Sequence, residues 1–333
     1  MVGAEDGAPA ANPAMSIFRR LRLAYDRAPG TLRGMLLIAV ASLGFSVMHV
    51  LIRLLSSELH PFEVAFFRNL FGVVVLLPVL ARIGLGVLRT GRLPLHALRS
   101  ALGLASMLLF FTALSRTGLP KVTAMSFTAP LFATAGAVLV LREKIHARRI
   151  AALLIGFLGT LIVMRPDGGI DSGVVMVLAS SALWAIAILT IKALSHTESS
   201  FAVTLYTGMF MAPLSLVPAS FVWSWPSGRE YLWLALMGTI GTLSQLLMTQ
   251  SFREADATAV LPVDFTRLLW ASVFGMLVFG EVPELATLVG GTLIFVSTTY
   301  ITYREARIGA ERRRRSTAGS REEVPSVEVK QVP

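Results

Sequence analysis

The sequence predicts an all-α integral membrane protein, with ten transmembrane helices arranged as two inverted five-helix repeats. Three observations predict it. First, 54% of the 333 residues are hydrophobic and only 15% are charged, with a mean hydropathy of +0.69. Soluble domains carry about 25% charged residues, so this chain lacks the polar residues to cover a soluble surface. Second, ten apolar stretches have the roughly 20-residue length that crosses a bilayer. Third, the two halves of the chain repeat one another in order.

The stretches lie near 33–54, 62–81, 96–115, 119–141, 148–164, 172–192, 201–223, 230–251, 257–279 and 284–302. The loops between them are short and carry turn residues, as in Ser56-Ser57-Glu58, Pro166-Asp167-Gly168-Gly169 and Trp225-Pro226-Ser227-Gly228. Arg142, Lys144, Arg148 and Arg149 divide spans four and five into two helices. The first repeat covers 31–165 and the second 170–304. Residues 1–30 form an N-terminal tail and 305–333 a basic tail of disordered composition, with Arg312-Arg313-Arg314-Arg315 as a topology anchor or an anionic-lipid contact.

Basic residues gather at the two tails and in alternate loops, which places both termini in the cytoplasm by the positive-inside rule. The bias is weak after spans six and eight, where only Lys192 and Arg253 stand. On this reading only Arg68 and Arg267 lie inside spans, and every other basic residue, Arg99 included, flanks one. The net charge of +10 thus reflects orientation and not a nucleic-acid surface. Residues 1–30 have no apolar core of a signal peptide, so none is expected. The chain has no cysteine, which excludes disulfides, thiolate metal sites and cysteine nucleophiles.

An offset of 139 aligns 34–71 with 173–210 without a gap. Gly34 meets Gly173, Ser42 meets Ser181, Phe45 meets Trp184, Ile52-Arg53 meets Ile191-Lys192, and Phe67 meets Tyr206. At an offset of 138, Glu143 meets Glu281. Five spans per copy is an odd number, so the second copy is inverted relative to the first. That symmetry suits alternating access, with a site near the midplane between the copies.

There is no Gly-rich phosphate loop, no HExxH and no GxSxG, and the five histidines lack metal spacing. The expectation is a non-enzyme without cofactor or metal, whose partners are a small-molecule substrate and the lipid bilayer. No nucleic acid is expected, and a homodimer is kept as a candidate assembly.

The motifs resemble those of EamA-type members of the drug/metabolite transporter superfamily over about residues 33–305. They are Phe66-Phe67-Arg68-Asn69, Phe111-Thr112-Ala113-Leu114, Thr128-Ala129-Pro130-Leu131-Phe132, Leu141-Arg142-Glu143, Leu183-Trp184-Ala185, Pro262-Val263-Asp264-Phe265-Thr266-Arg267 and Val278-Phe279-Gly280-Glu281. Arg142 departs from the usual glycine, and Ala152 and Ser297 stand where glycines are common, which puts close helix packing there in question. The resemblance implies a secondary transporter in the cytoplasmic (bacterial inner) membrane, moving an amino acid, vitamin or similar amphiphile, with export favoured over import. The competing reading is an integral-membrane enzyme acting on a lipid-like substrate, motivated by Asp264, Glu63 and His49.

Ionisable groups inside spans are costly and therefore functional candidates. Arg68 is an anion binder or a structural pair. Asp264 and Arg267 share a helix face and form either a self-neutralising pair or a clamp for a zwitterion, beside a helix-perturbing Pro262. Glu63 is nearer the outer surface, solvated or partnered with Arg68. His49, on the face of Phe45 and Ser42, is a packing residue or a cavity residue. Phe45, Trp184, Tyr206 and Trp270 are candidates for an apolar pocket wall, with Gln245 and Gln250 as hydrogen-bonding groups. The candidate substrate-binding set is therefore Arg68, Asp264, Arg267, Phe45, His49, Trp184, Tyr206, Trp270 and Gln245. Glu143 and Glu281 read as structural or gating elements, Pro130 and Gly136 as a flexible point, and Gly34, Gly103, Gly156, Gly159, Gly241, Gly290 and Gly291 as places of close helix approach.

Overall fold

Helix–helix packing organises the molecule, because its helices are apolar on all sides and bury one face against each other while presenting the other outward. The computed structural model describes residues 28–129, 131–132, 147–164, 171–195, 197–255, 260, 263–297, 299–300 and 303. The helices in these segments are α1 (Gly30–Leu55), α2 (Pro61–Ile83), α3 (Leu93–Arg116), α4 (Leu119–Ser126), α5 (Ala147–Met164), α6 (Ser172–Ser195), α7 (Ser200–Ser220), α8 (Gly228–Glu254), α9 (Thr266–Phe279) and α10 (Leu285–Ser297). No strand occurs among the described residues. The calls on both tails, on Pro130, Gly136 and Glu143, and on Pro262 lie outside the described residues.

Six helices, α1, α2, α3, α6, α7 and α8, are long and apolar enough to cross a membrane. Segments four and nine are interrupted. Residues Phe127 and Thr128 form tight turns in which their N–H groups reach back three residues, to Ala124 and Met125. On the other side, α9 starts only at Thr266, with Phe265 as its N-cap, and runs 14 residues. Both stretches sit inside windows apolar enough overall to be taken as spans, so hydropathy alone does not show the breaks, although Pro130 and Pro262 stand close to them in sequence.

Local chemistry explains the helix starts. Pro61 sits at the first turn of α2, and His60 and Glu63 form a capping box there. Ser227 and Glu230 do the same for α8, and the Ser199 hydroxyl accepts from Ala202 N–H at the start of α7. Gly84 and Gly280 end α2 and α9 with φ of 87° and 67°, a region that favours glycine.

Short loops make successive helices antiparallel, and side-chain ties mark two ends of the bundle. At one end, Arg33 pairs with Glu254 (2.9 Å), Thr90 donates to Glu198 (2.6 Å), and Ser200 donates to Gln250 (3.0 Å). We call this the Gly30 end. At the other, the Leu55 end, Thr117 donates to Asp171 (2.9 Å), Glu63 accepts from Ser224 N–H (2.6 Å), and Arg53 pairs with Glu281. Between the ends α8 packs along α1, α3 along α6, and α2 along α7 and α8.

Close approach is greatest where glycines meet. A Cβ on Gly159 of α5 would lie 2.7 Å from the carbonyl oxygen of Gly290 on α10, and one on Gly290 would lie 2.5 Å from that of Gly159. The same two helices bring Ala152 and Ser297 together, with Ser297 Oγ donating to the Ala152 carbonyl. A serine where a glycine is common therefore ties the crossing instead of opening it. Outward faces are apolar: Leu32, Leu36, Val40 and Leu43 follow each other along one side of α1, all exposed. Such stripes on several helices suit a hydrocarbon surround.

Candidate functional site

One cavity lies in the middle of the bundle, and its volume is about 190 Å³. That is below the roughly 300–1,000 Å³ of drug-sized sites, so it holds a small solute or part of a larger one. Phe45 and His49 of α1, Arg68 and Asn69 of α2, Ser106 and Phe110 of α3, Trp184 of α6, Thr207 and Met211 of α7, and Thr242 and Gln245 of α8 all reach it. Ile38, Ile188, Phe252 and Thr299 carry its wall toward the Gly30 end.

Seven of the nine expected residues line this space: Phe45, His49, Arg68, Trp184, Gln245, Asp264 and Arg267. Tyr206 and Trp270 do not. Tyr206 is pinned elsewhere, its hydroxyl donating to the Leu88 carbonyl while its ring packs on His96 (4.5 Å) and Phe210 (6.3 Å). Trp270 stacks along its own helix on Phe274 (6.2 Å). Both lie on helices that contribute other residues to the wall, so the sequence places the element correctly and the helix face incorrectly.

Asp264 and Arg267 form an ion pair at 3.1 Å. α1 holds that pair: Ser42 Oγ donates to Asp264 Oδ1 (2.6 Å), and Ser46 Oγ donates to the Arg267 carbonyl (3.2 Å). The Arg267 guanidinium lies over the Phe127 ring at 4.9 Å, a cation–π contact. The self-neutralising pair is therefore present, and it is also in the cavity wall. The two helix breaks meet here as well, with the Phe127 and Phe265 rings 5.0 Å apart.

Arg68 is 7% exposed and donates to Asn69 Oδ1 (3.1 Å), which in turn is held by Asn69 Nδ2 donating to Ser215 (3.3 Å). No carboxylate meets it among the described residues. Glu63 is fully buried, but it accepts from His60 N–H and from the Ser224 N–H and hydroxyl instead. This corrects both expectations for Glu63: it is neither solvated nor the partner of Arg68. It locks the start of α2 to the loop after α7.

Arg99 is the residue the sequence reading missed. It was assigned to a flank, yet it lies within α3, is 2% exposed and lines the cavity. Arg82, Arg89 and Arg92 precede it at short intervals, and this basic run disguised it. A signal was available: Arg99 falls three residues inside the apolar stretch that begins at 96, and an arginine there needs a reason. Each such residue costs about 2.5–3.5 kcal/mol on membrane-insertion scales.

Small polar residues complete the walls. Ser106 and Ser180 donate to each other's carbonyls (2.9 and 2.8 Å), tying α3 to α6. His49 packs its ring 4.9 Å from Phe110. Gln250, expected with Gln245, is instead tied to Ser200 and Glu254 at the Gly30 end (3.0 and 2.8 Å). At the Leu55 end Glu281 pairs with Arg53 and accepts the Leu119 N–H (3.0 Å), while Arg53 also covers the Phe279 ring (4.6 Å). Three elements are thereby latched over that side of the cavity. No cluster of metal-ligating side chains occurs among the described residues.

The profile of the EamA-like transporter family matches residues 32–165 and again residues 171–303. The chain belongs to this family. As an EamA-like protein with several apolar spanning helices, it is a multi-pass membrane protein. It is 31% identical over 264 residues to an S-adenosylmethionine uptake transporter of Rickettsia felis, a match covering 79% of this chain and 90% of the relative. It is 31% identical to a riboflavin transporter of Vibrio cholerae, covering 86% and 98%. It is 28% identical to a pseudopaline exporter of Pseudomonas aeruginosa, covering 79% and 94%. A solved crystal structure with 18% identity covers 84% of this EamA-like chain and 97% of its own, at a TM-score of 0.58, a likeness of fold alone.

Proposed function

We propose that the protein is a secondary transporter carrying a small metabolite, such as an amino acid, a vitamin or a similar amphiphile, across the cytoplasmic membrane by alternating access. The observation that carries this reading is the central cavity, walled by ionisable and aromatic side chains from most of the helices and latched at one end. The transporter names of its relatives, which include both an uptake protein and an exporter, support the class. Export is favoured over import on the breadth of the family, and both termini lie on the cytoplasmic side.

The finer architecture is ten helices in two inverted five-helix repeats. Several placements support it. Phe45 and its repeat mate Trp184 both line the cavity, as does Ser181, the mate of the Ser42 that holds Asp264. The breaks at Phe127 and Phe265 are separated by the same 138 positions as Glu143 and Glu281. Interrupted helices at matching places in two halves are a usual device for building a midplane site. In this conformation the Arg53–Glu281 latch shuts the outer side, and the wall continues toward the inner side through Ile188 and Phe252.

Substrate would rest among Phe45, His49, Trp184 and Gln245, between the Asp264–Arg267 pair and Arg68. Proteoliposomes of purified protein, given a mixed pool of amino acids, vitamins and nucleosides and read by mass spectrometry of the lumen, test this. Protein-dependent exchange of one chemical class is expected. Folded protein that exchanges nothing from a broad pool, but converts a lipid-like substrate in detergent, would overturn it.

A further inference from the structure

Among the described residues, the cavity wall has five buried side-chain atoms without a hydrogen-bond partner: Nε of Arg68, Arg99 and Arg267, Nδ1 of His49 and Nε2 of Gln245. All five are nitrogens. The hydroxyls around them, in contrast, are satisfied by carbonyls: Thr204 and Thr207 donate to Ser200 and Val203 (2.9 and 2.6 Å), and Ser106 and Ser180 donate to each other. Four of the five, the guanidinium Nε atoms and Gln245 Nε2, are donors, and His49 Nδ1 donates or accepts with its tautomer, so the unmet demand is chiefly for acceptors.

The charges agree. Three guanidiniums and one carboxylate line the space, and that carboxylate, Asp264, is already shared between Arg267 and Ser42. Among the described residues, Arg68 and Arg99 are left without a counter-ion. They approach the same stretch of α7: Arg68 is anchored through Asn69 to Ser215, and Arg99 lies beside Gly103, which faces Met211 one turn earlier. Both guanidiniums line the same cavity. Two like charges, buried together, need an anion between them. Guanidiniums suit it by their paired donors, which match the oxygens of a carboxylate or phosphate.

We propose that Arg68 and Arg99 form an anion subsite, with Gln245 as a neutral donor beside it, so that the transported metabolite is one that carries a carboxylate or phosphate group and a net negative charge. This rests on the transporter reading for the word transported, but the subsite itself is a claim about binding. The Asp264–Arg267 pair, being internally neutral, is left for the uncharged or zwitterionic remainder of the same molecule.

The test uses full-length protein in two formats. Equilibrium dialysis in detergent measures binding of labelled malate, aspartate, glycerol 3-phosphate and inorganic phosphate against glutamine, glycerol and lysine. Proteoliposome exchange measures flux of the same compounds. Wild type is expected to bind one or more anions and neither the neutral nor the cationic probes. Arg99→Gln and Arg68→Gln should each weaken that binding at least tenfold, and Arg99→Lys should retain part of it. Gln245→Glu, which leaves both arginines in place, should supply the counter-charge internally and lower anion affinity at least tenfold, with a melting temperature no lower than wild type. The arms for malate and glycerol 3-phosphate separate carboxylate from phosphate. Anion binding without flux would retain the subsite and refute the transporter reading. Binding confined to neutral or cationic probes, no binding of any anion, or anion binding unchanged in both Arg99→Gln and Gln245→Glu would overturn the proposal.

Discussion

Replacing Glu281 by glutamine removes the charge that pairs with Arg53 while keeping an oxygen to accept the Leu119 N–H. The loss is then one ion-paired hydrogen bond. Hydrogen bonds to charged groups contribute about 1.5–3 kcal/mol. Both side chains are about one-fifth exposed, at 22% and 23%, so solvent screening puts the value near the lower end, about 1.5–2 kcal/mol. If the latch holds one of two conformations shut, that amount raises the share of the opened form roughly 10- to 30-fold, at 1.4 kcal/mol per decade. The absence of native cysteine permits a clean assay. Met107, which lines the cavity, becomes cysteine, and a membrane-impermeant maleimide is applied from the Leu55 side. The Glu281→Gln background should label about tenfold faster or more. Arg53→Gln should do the same, and the double variant should add little, because both changes break one interaction. Unchanged labelling in a folded Glu281→Gln protein would refute the gating reasoning and leave the pair as a structural tie.

Three further outcomes follow from the contacts. Glu63→Ala removes the acceptor for His60 N–H and for the Ser224 N–H and hydroxyl, so thermal denaturation should show a loss of about 3 kcal/mol, with Glu63→Gln losing less. Gly159→Ala puts a methyl group against the Gly290 carbonyl and Leu293, and overpacking of about 1–3 kcal/mol should lower the melting temperature, whereas Gly86→Ala, in open space, should not. Asp264→Ala leaves Arg267 without its carboxylate in a half-buried wall, at a cost approaching the 3–5 kcal/mol range of a broken buried pair; the Asp264→Ala/Arg267→Ala double variant should recover stability by calorimetry without recovering flux. Recovery of flux in the double variant would assign the pair a structural role only.

Much of the helical layout was legible from hydropathy, because a spanning helix announces itself by length and apolar content. The helix starts at Pro61, Ser200 and Gly228 fall within two residues of the boundaries set by hydropathy at 62, 201 and 230, and the structure shows the capping chemistry that fixes them. The interruptions at Phe127 and Phe265 were hinted at only by the nearby Pro130 and Pro262, since proline marks a possible kink but hydropathy does not say where a helix unwinds when neighbours supply the lost contacts. Site residues followed the same division. Intramembrane charges such as Arg68, Asp264 and Arg267 stand out against an apolar background and do reach the cavity. Aromatic residues do not stand out, which is why Phe45 and Trp184 were placed correctly and Tyr206 and Trp270 were not. Tyr206 shows the reason: a hydrogen bond to Leu88, distant in sequence, turns it away from the cavity. Arg99 failed in the opposite direction, hidden by the basic run before it.

The most direct test of the account is exchange of a metabolite pool in proteoliposomes, comparing wild type with Ser181→Trp. Ser181 is buried in the cavity wall and makes no side-chain tie among the described residues, so the bulky ring fills the space without cutting a link between helices. The account predicts protein-dependent exchange in wild type and its loss in Ser181→Trp that remains folded and monodisperse. Equal exchange by both proteins would contradict it, because the solute would then cross without using this cavity.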